Sequence, residues 1–369
     1  SVMRDWIGSL SQGDSSPIEV QKGSSPSPED KYAQTLRFDD DRSPLSGPVI
    51  PIPSLPVLYH RFLCEGQQAD TVDLAQRYVS ERLREVASAG HVEVLRRQGL
   101  WPWSSALLSK WVNARLHEQV FDGVDPLDGR LGMERFLNRS EVIWLLQQLA
   151  PAALIDGAWL QGETSPVCYQ SAVSTLLLRI YRDELGAGIP HQHHGNIMRR
   201  ILAEQGVELP DCDSERFVRY PGFLPESFST PVLWLAFALH SRMYLPELLG
   251  LNLAIEMAGV GRMYDRAAVL LRHHQIDPYF FVLHNTIDNG ASGHTAWSVQ
   301  AIQLYLDELG LHADSSVVAD SWRRVWQGYA TYGRSSAPLL RAIALRFGPA
   351  LGWRWLRHHI LPNTAREAS

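Results

Sequence analysis

The sequence predicts an all-α protein, and three observations carry the prediction. From about Leu58 onward apolar residues recur at three- and four-residue spacing, the period of helices that bury one face. Convincing alternation of apolar and polar residues, the mark of strands, is absent, and Pro and Gly punctuate the periodic stretches. Hydrophobic residues make up 45% of the 369-residue chain, enough for a substantial core.

The predicted helices span 68–98, 103–120, 132–150, 151–162, 167–184, 190–205, 230–243, 246–258, 262–275, 277–288, 292–310, 314–330 and 334–360, with a break. Residues 1–57 read as a Ser/Pro-rich arm or linker, because 9–57 is dense in Ser, Pro, Gly and Asp and nearly free of helical periodicity. The remainder, 58–365, reads as one all-α domain. It divides into an N-terminal helical extension (58–130), a bundle core that carries the site (131–312) and C-terminal helices (313–365). No fixed-period repeat is present, which disfavours a solenoid.

Several of these helices carry an ionisable residue on the stripe that should face inward. Asp156 is in register with Leu149, Ala153, Trp159 and Leu160. Glu184 continues the face of Val173, Leu176, Leu177 and Ile180. His194 heads a helix in line with Ile197, Met198, Ile201 and Leu202, with His191 expected one turn earlier on that side. The segment 244–261 is apolar on every side except at Glu247, Asn252 and Glu256, so it reads as a central buried helix. Pro246 suits its first turn and Glu247 its N-terminal dipole, whereas Glu256 in mid-helix has no such reason. His284 and Asp288, four apart, follow the aromatic run Tyr279-Phe280-Phe281, and His294 comes six residues later.

Singly, each of these has a structural reading: a satisfied core histidine, a helix end, or a turn at Asp288-Asn289-Gly290. Together they point to binding, because buried charges persist where they pair or hold a metal. Carboxylate and imidazole donors without thiolates suit iron or manganese with open positions better than a structural zinc. Asp156, Glu184, His191, His194, Glu256, His284, Asp288 and His294 form a set large enough for two ions. Trp159, Met198, Trp234, Phe237, Phe280 and Phe281 are the expected pocket lining, and His193, His240, His273 and His274 are left to structural or supporting roles.

Other classes are disfavoured. A net charge of −6 from 34 basic and 40 acidic residues, interspersed, leaves no basic patch for nucleic acid. Cys64, Cys168 and Cys212, odd in number and widely spaced, argue against a disulfide framework and for a reducing cytoplasm. The longest greasy stretches, such as 232–239, fall short of the roughly 20 residues that cross a bilayer, and no signal-peptide pattern opens the chain. Glu-x-x-His pairs of ferritin-like bundles, His-Glu-x-x-His, Gly-rich phosphate loops with Lys and Gly-x-Ser-x-Gly elbows are all missing.

The stretches DELGAGIPHQHHGNI (183–197), PELLGLNLAIE (246–256) and HNTIDNGASGH with TAWSVQAIQLYL (284–306) resemble the haem-oxygenase-like non-haem di-iron oxidases and oxygenases, also called iron-containing redox enzymes. The resemblance covers about residues 140–310. It implies a haem-oxygenase-like helical bundle in which Glu184, His194, Glu256, His284, Asp288 and His294 hold Fe(II), with Asp156 placed where an earlier helix supplies an acid. Two Fe(II) ions acting with O2 are implied, with a one-metal site as the alternative. The substrate class implied is an amino-acid-like or acyl small molecule in natural-product biosynthesis, free or tethered to a carrier protein.

Two departures from the family pattern bear on the ligand set. His191 stands where many relatives carry a glutamate, and Ala291 stands where the closing histidine usually lies, three residues after the aspartate. Either the chain breaks at Gly290 and Gly293 so that His294 swings back, or one iron has fewer protein ligands. The competing functions are a metal-free enzyme of the same fold, a helical binding or scaffold module with a satisfied polar network, and a haem protein using one histidine as axial ligand. Neither a nucleic-acid nor a membrane partner is expected, and oligomeric state is left open, a dimer included.

Overall fold

Helical periodicity becomes helix throughout. The structure, a computed structural model, describes residues 51–87, 90–119, 137–166, 168 and 171–359, and no strand occurs among them. The N-terminal part supplies α1 (Leu55–Cys64), α2 (Ala69–Ala87), α3 (His91–Arg97) and α4 (Ser105–His117). The bundle continues with α5 (Arg139–Ala153), a 3-10 helix (Ala158–Thr164), α6 (Ala172–Glu184), α7 (His194–Glu204) and α8 (Ser229–Ala238). It ends with α9 (Leu245–Ala258), α10 (Arg262–His273), α11 (Tyr279–Ile287), α12 (His294–His312) and the long α13 (Ser315–His359).

Local chemistry sets several of the boundaries. Asn138 and Glu141 form a capping box at the start of α5, each side chain accepting from the other's backbone N–H at 3.0 and 2.8 Å. Ser171 caps α6 by accepting from the Ser174 N–H at 2.9 Å. Pro246 occupies the first turn of α9, where its missing N–H costs nothing.

Helix α9 is the axis of the core, with Leu248, Leu249, Leu251 and Leu253 all buried. Each such side chain contributes roughly 1.5–3 kcal/mol on leaving water. Helix α13 lies along α9, and α12 packs on both α9 and α6. The approach of α9 and α13 is close because glycines meet backbone. A Cβ on Gly250 would stand 1.7 Å from the Val325 carbonyl oxygen, and one on Gly328 would stand 1.7 Å from that of Glu247. Glu247 is fully buried and grips Arg324 of α13 in a two-pronged pair, with both N–O distances 2.8 Å. The pair ties the two central helices together and gives Glu247 a partner across the helix interface.

Several predicted boundaries move. The first described helix begins at Leu55, inside the segment read as arm, and residues 1–50 lie outside the described residues. The predicted 68–98 helix divides at Gly90, which turns the chain with φ 67. Helix α5 runs through Pro151 to Ala153, and the predicted 151–162 helix is instead a turn followed by the 3-10 segment. The predicted break after residue 330 does not occur. An isolated glycine such as Gly333 costs about 1 kcal/mol, too little to end a helix that packs along α9.

Candidate metal centre

Five helix ends and one turn deliver the site. Glu184 is the last residue of α6, and His194 is the first residue of α7. Asp288 caps the C-terminus of α11, one turn beyond His284, and His294 opens α12. Glu256 projects from the last turn of α9, and Asp156 comes from the turn after α5.

Their donor atoms converge into two groups: Asp156, Glu184, His194 and His284, and Glu184, Glu256, Asp288 and His294, with the atoms of each group within 4.8 Å of one another. Glu184 belongs to both. Its Oε2 lies 2.5 Å from His194 Nδ1 and its Oε1 lies 3.2 Å from His294 Nδ1, so one carboxylate spans the two groups with one oxygen each. In the first group Asp156 Oδ2 is 3.2 Å from both His194 Nδ1 and His284 Nε2. In the second, His294 Nδ1 faces Glu256 Oε2 at 3.2 Å and Asp288 Oδ1 at 3.1 Å.

These distances fit a cation better than a hydrogen-bond network. An imidazole nitrogen has one proton or one lone pair, yet His294 Nδ1 is surrounded by three carboxylate oxygens. Two donors each about 2.1 Å from one cation and at right angles are about 3.0 Å apart, which matches the spacing. Glu184 Oε2, Glu256 Oε1, Asp288 Oδ1 and His294 Nε2 are buried without a hydrogen bond of acceptable geometry. Leaving such groups unpaired costs about 1–3 kcal/mol each, more for charged ones, and a bound cation would satisfy the carboxylate oxygens among them.

The surroundings orient the donors. His284 Nδ1–H donates to the Phe280 carbonyl at 2.7 Å, which turns Nε2 toward Asp156. His294 Nε2 lies 3.6 Å from Asp183 Oδ2, a carboxylate behind the imidazole. Trp159 Nε1–H donates to Asn252, Asn252 to Ser298, and Ser298 to the His294 carbonyl, at 2.8, 2.7 and 2.7 Å. This chain of bonds fixes the first turn of α12. Space is also reserved: a Cβ on Gly259 would stand 1.9 Å from Asp288 Oδ2.

Electrostatics follow from the crowding. Burial pushes the Glu256 carboxyl up to about 8 and raises that of Asp288. Burial alone would lower the imidazoles, but Glu184 and Asp156 raise His194 to about 11, and Asp156 and Asp288 raise His284 to about 9. Burial also works to raise Glu184, and His194 and His294 outweigh it, holding this carboxyl well below its usual range. Without a cation, protons supply the positive charge that the acids require.

Seven of the eight residues singled out in the sequence meet here, and His191 does not. It is exposed, because Pro190–Gln192 forms a separate 3-10 turn and His193 is extended, so the register of α7 does not reach back to it. Among the expected lining residues, Phe280 packs tilted against His284 and edge-on to His194, with centroids 4.4 and 6.1 Å apart. Phe281 packs on Tyr264, Met198 is fully buried in α7, and Trp159 meets Trp234 at 4.7 Å. Phe237 packs on Tyr244. His193 caps α7 through the Gly195 N–H, while His240 and His274 bond the backbone carbonyls of Val72 and Leu137.

Asp183, Tyr264 and Tyr332 escaped the sequence reading. Asp183 adjoins Glu184, and its carboxyl is held below the usual range chiefly by His294. The ring of Tyr264 is 5.6 Å from that of His284, and both it and Tyr332 are half-buried. Burial, reinforced by the acids of the centre, pushes the Tyr264 phenol well above its ordinary value and that of Tyr332 up to about 12, so both stay protonated.

A family model described as iron-containing redox enzyme matches residues 143–329, over half of the chain, and the chain belongs to that family. Its all-helical architecture is that of the haem-oxygenase-like fold. No curated protein matches the chain. No helix among the described residues is long and apolar enough to cross a membrane.

Proposed function

We propose that this member of the iron-containing redox enzyme family is an O2-dependent, non-haem di-iron oxidase or oxygenase acting on an amino-acid-like or acyl small molecule, free or carrier-tethered, in natural-product biosynthesis. The observation that carries the reading is Glu184, one buried carboxylate shared by two four-residue groups of acids and imidazoles. Asp156, His194 and His284 would hold iron on one side of it, and Glu256, Asp288 and His294 on the other. Such a centre supplies one-electron and O2 chemistry when loaded.

The chain's own residues do the rest. Phe280 and Phe281 keep water from the His284 side. Asp183 stands behind His294 and the Phe280 carbonyl behind His284, each steadying a ring. The phenols of Tyr264 and Tyr332 present O–H donors beside the centre, suited to the carboxylate or carbonyl oxygen of a substrate. The scaffold alternative requires a satisfied polar network, and the buried oxygens Glu184 Oε2, Glu256 Oε1 and Asp288 Oδ1, which lack a well-formed hydrogen bond, favour a cation over it. The metal-free alternative drew on His191 in place of an acid, and that residue is exposed. Three free cysteines accord with a reducing cytoplasm.

The test is anaerobic loading with Fe(II), counting bound iron, then mixing with O2 while recording the visible spectrum. About two irons per chain and a transient band are expected. A chain that takes up no iron is not an iron oxidase.

A further inference from the structure

A second polar cleft, of about 230 Å³, lies between α2, the start of α8 and α13. Arg82, Arg334 and Arg341 line it with a single acid, Glu85. That acid is engaged: its Oε1 is 2.7 Å from Arg82 Nη2 and its Oε2 is 3.9 Å from Arg334 Nε. Glu81, beside the cleft, also lies against Arg82, with its Oε2 3.9 Å from Nη2, so three guanidiniums against two carboxylates leave an excess of positive charge. Arg82 Nε is buried without an acceptor, and Arg341 makes no ion pair among the described residues. A buried guanidinium N–H with no partner marks a missing acceptor.

The other polar groups of the cleft sharpen the chemistry. The Ser229 hydroxyl donates to the Ser335 carbonyl and that of Thr331 to the Gln327 carbonyl, both at 2.7 Å, so neither offers its proton to a ligand. The Ser335 hydroxyl is likewise spent on the Tyr332 carbonyl at 2.8 Å, which leaves the arginines as the main donors to a ligand. Arg82 is steadied over the Tyr78 ring at 5.4 Å. The volume is below the roughly 300–1,000 Å³ of sites for drug-sized molecules, so the occupant is small.

We propose that this cleft is an anion site, separate from the carboxylate–imidazole centre, that takes a phosphate-class anion through Arg82, Arg334 and Arg341. An anion matches the excess of positive charge. A tetrahedral group with several acceptor oxygens also uses guanidinium forks from two helices better than a planar carboxylate does.

The test is calorimetric titration of the full chain, as purified, with inorganic phosphate at constant ionic strength, chloride serving as the control anion. A parallel titration with glycerol 3-phosphate distinguishes free phosphate from the phosphoryl group of a larger molecule, since only a site open to the ester oxygen binds both. Saturable binding at one site per chain is expected, weakened about tenfold or more in Arg341→Ala and in Arg334→Ala, with iron content unchanged. Both residues are exposed, so the fold should tolerate their replacement. Absence of saturable binding, wild-type affinity in both variants, or binding that vanishes when iron is chelated would overturn the proposal.

Discussion

Replacing Glu184 by Gln probes the shared carboxylate directly. The substitution keeps the volume and one acceptor oxygen but removes a charge from both groups at once, since Oε2 faces His194 and Oε1 faces His294. The groups contain four carboxylates, Asp156, Glu184, Glu256 and Asp288, which together balance two divalent cations. With Gln at 184 one positive charge in a buried, loaded centre has no counterpart. Removing one partner of a buried ionic arrangement costs about 3–5 kcal/mol. At 1.4 kcal/mol per tenfold change in affinity, that is roughly two to three and a half orders of magnitude. The assay is anaerobic Fe(II) titration with bound iron counted and helicity followed by circular dichroism. Glu184→Gln should lose both irons at concentrations that saturate the wild type, while His284→Ala and Glu256→Ala should each keep about one. If Glu184→Gln holds two irons with near wild-type affinity, the shared-carboxylate reasoning is wrong.

Other perturbations separate supporting residues from bystanders. Gly259→Ala places a methyl group 1.9 Å from Asp288 Oδ2, so iron on the Glu256 side should fall below half occupancy with helicity retained; full occupancy would show that Asp288 can shift at no cost. Asp183→Asn removes the charge behind His294 and should weaken iron on that side about 10–100-fold, the usual effect of such outer partners, as read by competition with a chelator. His191→Ala should leave iron content and the O2-induced spectrum unchanged, because the residue is exposed and outside both groups. Iron uptake should release protons and weaken as pH falls. His194 (about 11), His284 (about 9) and Glu256 (about 8) are protonated near neutrality without a cation and must lose those protons to bind one. Loading in weak buffer with a pH indicator measures the release, and uptake with no protons set free would contradict the ligand assignment.

What could be read in advance depended on whether local sequence or tertiary contact decides the outcome. The inward acids and imidazoles were legible because a helix repeats its face every three or four residues, so a charge in register with Ile197, Met198 and Ile201 had to face the core. His191 misled because that argument assumes one unbroken helix. Pro190 and the extended His193 break it, and the residue turns to solvent. The continuity of α13 past Gly333 was equally beyond local reasoning, since packing along α9 outweighs a weak breaker. Tyr264 and Tyr332 carried no signal at all. Each belongs to an amphipathic helix whose approach to the centre is set by how α10 and α13 dock, and no spacing within either segment encodes that.

The departure at the closing histidine shows how the chain compensates for its own spacing. A histidine three residues after Asp288 would share its helix, but here α11 stops at Ile287 and six residues separate the two donors. Asn289 folds the interval back on itself: its side-chain oxygen accepts from the N–H groups of Ala291 and Ser292 at 3.0 and 2.9 Å, and its carbonyl accepts from Gly293 at 3.1 Å. The reversal returns His294 Nδ1 to 3.1 Å from Asp288 Oδ1, as the first residue of a new helix. Most donors in the centre sit in the same way at an end or a turn: Glu184, His194, Asp288, His294 and Asp156. A residue at a helix end takes its direction from the connector as well as from the helix axis. In the proposed di-iron centre the cations would be enclosed by elements whose axes are fixed by α9 and α13, while the connectors 185–193 and 288–293 set the reach of each donor.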